Sequence, residues 1–114
     1  MHRIILLPAE EAATGRWELT LRLDRDGQPD ATAWQEGWTV RRIAEDGSET
    51  AGDIVPDGAG GWLFRIPPDD DSPAAAQWPA GGPSLHPGAV VLLRGPGGEA
   101  ADWRVVAVEP LAEA

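Results

Sequence analysis

The chain has 114 residues, a common size for one domain, and carries nineteen acidic against nine basic residues, a formal net charge of −10. Cysteine is absent, which excludes disulfides and thiolate metal sites, and every basic residue is arginine. So acidic a molecule repels phosphate backbones and anionic lipid, and no basic stripe offsets the charge, so no nucleic-acid or membrane partner is expected.

The N-terminus opens on Ile4, Ile5, Leu6 and Leu7, cut short by Pro8 and followed by Glu10 and Glu11. That run is too short and too quickly acidic for a signal peptide or a membrane span, so a cytoplasmic location is expected. It reads instead as a strand. The clearest strand follows over Gly15 to Asp24, where Trp17, Leu19, Leu21 and Leu23 alternate with Glu18, Thr20, Arg22 and Asp24. Asp26-Gly27 ends it with the chemistry of a positive-φ turn.

Gly37 to Glu45 is the next strand, with Trp38, Val40 and Ile43 inward. Arg41 and Arg42 break the alternation, as a β-bulge would. Asp46-Gly47 then turns the chain into a strand over Thr50 to Val55, and the Pro56 to Gly61 turn leads into Trp62 to Ile66. Gly88 to Arg94 and Asp102 to Glu109 form the last hairpin. Their nearly continuous apolar runs predict burial on both faces, in a central hairpin or one wrapping a closed barrel.

Fourteen glycines and eleven prolines approach the low-complexity range, but six tryptophans give the chain something to bury. The expected architecture is therefore all-β: one domain over 1–114, a small antiparallel β-barrel or β-sandwich of about six to seven short strands. The exception is the long Pro/Asp-rich loop 67–87, of a length more often functional or mobile than structural.

The stretch Leu85-His86-Pro87-Gly88 into Ala89 to Arg94, returning through Trp103 to Pro110, resembles an element of small bacterial and phage β-barrels. Head-to-tail connector proteins of tailed phages and SH3-like barrels carry something similar. The likeness covers about a quarter of the chain, names no family, and implies little about function.

Catalytic chemistry is poorly supplied. Cysteine, lysine and tyrosine are absent, and the only histidines are His2 and His86. Ser72 or Ser84 with His86 and an aspartate lacks a nucleophile elbow. Two distant histidines make no zinc site, and Asp69-Asp70-Asp71 cannot all face one calcium ion. No catalytic residue, metal or cofactor is expected, and the protein is read as a non-enzyme.

Trp17, Trp62 and Trp103 sit on apolar alternations and belong to the core, with Trp38. Trp34 and Trp78 lie among Gly, Pro and polar neighbours, where an indole serves either as core cover or as a contact anchor. The candidate binding residues are Trp78, Asp69, Asp70, Asp71, His86 and Trp34. The expected role is a protein-interaction or assembly module, of the kind a larger homomeric or phage-like particle would use, contacting its partner through the 67–87 loop and one sheet edge. A carbohydrate-binding module using exposed tryptophans is the alternative, and a small enzyme or enzyme subunit the third reading.

Overall fold

In a computed structural model, which describes residues 1–11, 13–67 and 74–111, the chain winds into a closed antiparallel barrel. Its strands are β1 (His2–Pro8), β2 (Arg16–Leu21), β3 (Thr39–Ile43), β4 (Glu49–Pro56), β5 (Trp62–Arg65), β6 (Ala76–Trp78), β7 (Val90–Arg94) and β8 (Ala100–Pro110). Each pairs with the next, and β8 returns to pair with β1, as in an up-and-down barrel. The all-β class is thus the one expected; of barrel and sandwich the chain forms the barrel, with eight strands because β6 lies within the expected loop.

Alternation builds the core. Ile4, Leu6, Trp17, Leu19, Leu21, Val40, Ile54, Phe64, Val91, Leu93, Trp103 and Val105 all point inward and are buried. Both Asp-Gly turns form as the sequence predicts, with Gly27 at φ 78° and Gly47 at φ 91°, values that a side chain would oppose.

Aromatic rings close the two halves of the interior. Trp17 lies 5.3 Å from Phe64 and meets Trp103 edge to face at 6.2 Å, while Trp38 packs on Trp62 at 5.0 Å. Trp78 stands opposite Trp62 in the β5–β6 ladder.

Three expectations need correction. No bulge occurs at Arg41-Arg42, because β3 keeps unbroken register with both neighbours. Arg41 faces out to Glu18 and Glu49, and Arg42 turns in at the barrel mouth. The register shift falls instead between β1 and β8, where Ile5 faces Ala107 and Leu6 faces Val105, leaving Val106 as the extra residue.

The last hairpin is not buried on both faces. Burial alternates strictly along β7, and Val90 and Leu92 are exposed. A closed barrel of this size has one interior, so every second residue faces outward whatever its polarity.

The segment 67–87 is not one unstructured loop either. Beyond β6, Leu85 N–H donates to Gly27 O at 2.8 Å, Ser84 Oγ to Asp26 O at 2.5 Å, and Gln28 Nε2 to Gly82 O at 3.3 Å. Those bonds tie residues 82–85 to the turn at residues 26–28, with Leu85 buried.

Turn aspartates with lowered pKa values predict an acid limb in stability. The Thr32 hydroxyl and N–H hold Asp30 below its ordinary pKa, the Ser48 hydroxyl and N–H do so for Asp46, and the Ala59 N–H leads for Asp57. A folded pKa below the unfolded one contributes stability above the unfolded value, lost as pH falls through the folded value. The urea midpoint is therefore expected to hold from pH 7 to about 5 and to fall below about pH 4. Asp57→Asn should flatten that fall, because Asp57 also accepts from Gln77 Nε2 at 3.1 Å and so ties the β4–β5 turn to β6. An acid limb identical in variant and wild type would refute the assignment to Asp57.

Candidate functional site

The outer face of β7, β8 and β1 carries the unusual surface. Leu7 is 39% exposed, Val90 41%, Leu92 38% and Val106 41%. Register brings them together: Val90 faces Arg104 on β8, and Arg104 faces Leu7 on β1. Val106 is the next outward residue along β8. Single exposed aliphatics are ordinary, but four around one arginine on a single sheet face are not.

One side of this face falls into a groove of about 240 Å³. Val90 and Leu92 form one wall and residues 79–83 the other, with Trp78 behind. The groove exists because β6 and β7 meet at a single pair, Gln77 and Arg94, and then diverge. Asp102 is the one charged residue lining it. Its N–H donates to Glu10 Oε1 at 3.0 Å, on the side of β8 that faces β1.

The opposite wall of the barrel is charged and self-satisfied. Glu18 is nearly buried between Arg16 at 2.9 Å and Arg41 at 3.5 Å, and Arg41 reaches Glu49 at 2.6 Å. Glu49 holds the Arg41 guanidinium pKa above its ordinary value. A surface so paired within the chain leaves little charge for a partner.

A second hollow, of about 260 Å³, opens at the barrel mouth between Trp17, Trp103, Arg42, Arg94 and Glu99. The Arg42 guanidinium lies 4.9 Å from the Trp17 ring and 5.1 Å from that of Trp103. It donates to the carbonyls of Thr14 at 2.7 Å, Arg16 at 3.1 Å and Ile43 at 3.2 Å. Burial lowers its pKa, and the guanidinium stays charged. Arg42 thus works as a plug, tying the β1–β2 connection to β3 over the aromatic core.

The residues singled out from sequence do not converge. Trp78 is 3% exposed, a core residue of β6 and not a projecting anchor. Trp34 lies in a short 3-10 turn, Trp34–Glu36, half-buried against the core. His86 is exposed, with Nδ1 3.1 Å from Pro87 O. Asp69, Asp70 and Asp71 fall outside the described residues. No hydrogen bond or ring contact joins Trp34, Trp78 and His86.

The exposed tryptophan that sugar stacking asks for is not found either, since five of the six tryptophans are buried and Trp34 is half-buried. Among the described residues, no three His, Asp or Glu side chains stand close enough to hold a metal ion, and no helix is long and apolar enough to cross a membrane.

Sequence reading passed over Leu7, Val90, Leu92, Val106 and Asp102. The signal available was Pro79, directly after Trp78: a proline cannot donate to the ladder, so β6 must stop beside β7. Comparison with protein-family models, curated proteins and solved structures finds no match to this chain.

Proposed function

We propose that the protein is a non-enzymatic protein-interaction or assembly module that contacts its partner through the outer face of β7, β8 and β1. The observation behind this reading is the set Leu7, Val90, Leu92 and Val106, each about two-fifths exposed and grouped around Arg104 on one sheet face, while the other outer wall is occupied by internal ion pairs. Covering aliphatic surface on association is worth roughly 25 cal/mol per Å², and such patches mark contact sites in soluble proteins. A larger homomeric or phage-like particle is one setting in which such a module would serve.

The test places a photoreactive amino acid at Val106 and, as control, at exposed Thr50 on β4. A cross-linked protein is expected from position 106 and not from 50. The identified protein, or a second copy of the chain, should then bind the purified module. The double change Leu92→Asp with Val106→Asp should weaken that binding at least about 10-fold without altering the melting temperature, since both side chains are exposed. Equal cross-linking at both positions, or affinity unmoved by the double change, would sink the proposal.

A further inference from the structure

The seam between β6 and β7 has a defined hydrogen-bonding phase. In an antiparallel pair, residues that exchange both backbone bonds with their partner alternate with residues whose groups face away. Across the β7–β8 hairpin, Gly95 N–H donates to Glu99 O at 2.7 Å, and Val105 N–H donates to Ala89 O at 2.8 Å. Both bonds fall in phase with the pairs Val91–Trp103 and Leu93–Ala101. Val91 and Leu93 therefore bond to β8, while Val90, Leu92 and Arg94 turn their N–H and C=O groups toward β6.

Arg94 finds Gln77 there. Continuing that register, Leu92 would meet Pro79 and Val90 would meet Gly81. Pro79 has no N–H to donate, β6 ends at Trp78, and Gly81 turns away at φ 84°. Val90 and Leu92 thus present two N–H and two C=O groups with no protein partner among the described residues. Their exposed side chains stand beside these groups.

We propose that a short extended peptide segment of a partner protein adds to β7 in this seam as a strand, with a basic side chain against Asp102. The inference rests on the protein-interaction reading above and names the chemistry of the partner. Paired donors and acceptors two residues apart, about 7 Å, match an extended backbone and little else. Open strand edges are ordinarily covered or charged, and this one is neither. The stems of outward basic side chains would lie along Val90 and Leu92, and the alternate, inward side chains would be apolar. Charge selects the outward side chain: Asp102 has no ion pair among the described residues, on a chain of net charge −10.

The probe is an acetylated, amidated pentapeptide of alternating valine and arginine, titrated into the full chain. Two companions are a valine–threonine version and a version N-methylated at alternate amides. The expected result is slowed hydrogen exchange at the Val90 and Leu92 amides on binding. N-methylation should weaken binding about 10-fold, the loss of one or two backbone bonds. Asp102→Asn should weaken the arginine peptide about 3-fold and leave the threonine peptide unchanged.

Equal affinity of the N-methylated peptide, or no protection at Val90 and Leu92, overturns strand addition. If the peptide instead protects residues around Leu7 and Val106, strand addition fails while the interaction face stands. Protection of Val90 and Leu92 by self-association alone, without peptide, would make the occupant a second copy and also overturn the proposal. Failure of the cross-linking test above would remove the interaction face itself.

Discussion

Gly52→Ala is expected to lower the thermal midpoint by about 10 °C or more, a loss of roughly 3 kcal/mol from a domain whose whole stability is of order 5–15 kcal/mol. Gly52 occupies the inward side of β4 opposite Val40, at the point where the strand leaves β3 for β5: Asp53 pairs with both Thr39 and Arg65. A Cβ placed there would fall on the carbonyl oxygen of Arg65, 2.7 Å from its carbonyl carbon and 2.8 Å from Cγ1 of Ile66. The first two obstacles are backbone. They cannot yield as a side chain would, and Arg65 is held by its ladder pair and by Asp53, whose Oδ1 and Oδ2 accept at 2.8 and 2.6 Å. Overpacking of this kind costs about 1–3 kcal/mol and more where the main chain must move. The lost flexibility of the unfolded chain returns only about 0.4–1 kcal/mol. A melt followed by tryptophan fluorescence decides the matter. A midpoint within about 2 °C of wild type would mean that β4 does not coil this tightly against β5.

Gly52 also illustrates what a sequence can and cannot disclose. Nothing local distinguishes Gly52 from the loop glycines, because the atoms that forbid a side chain belong to Arg65 and Ile66, thirteen and fourteen positions later. The legible parts were those where period and turn chemistry agree within a few residues. Trp17, Leu19 and Leu21 alternate with polar neighbours, and Asp-Gly follows, so β2 and its turn could be read directly. Arg42 misled because alternation was judged by polarity. Its inward position at the open mouth gives an arginine both indole faces and three carbonyl acceptors, so the register never broke.

The β7–β8 hairpin misled in the opposite sense. A wholly apolar run is compatible with burial on two faces or with an exposed face reserved for contact, and periodicity cannot separate these. The candidate surface was therefore present in the sequence as Val90, Leu92 and Val106 but indistinguishable there from core. Only closure of the barrel, which leaves one interior, assigns those side chains to the outside.

Trp78→Ala tests the reassignment that matters most. Composition around Trp78, with Pro79 and the run Ala74 to Ala76 as neighbours, suggests a loop whose truncation leaves folding intact. The structure reverses that expectation. Trp78 is 3% exposed, stands opposite Trp62 in the ladder, and ends the shortest strand of the barrel. Truncating a buried tryptophan costs about 3–5 kcal/mol, so the midpoint should fall by roughly 10–20 °C. The loss should also be larger than for Trp34→Ala, since Trp34 is only half-buried on its 3-10 turn. β6 joins β7 through one residue pair and β5 through three, so the cavity left by Trp78 would weaken closure at its thinnest point. Hydrogen exchange should therefore accelerate first at Gln77 and Arg94 and later in β1 and β2. Equal destabilisation by the two tryptophan changes, or uniform acceleration around the barrel, would show that β6 is not the seam on which closure depends.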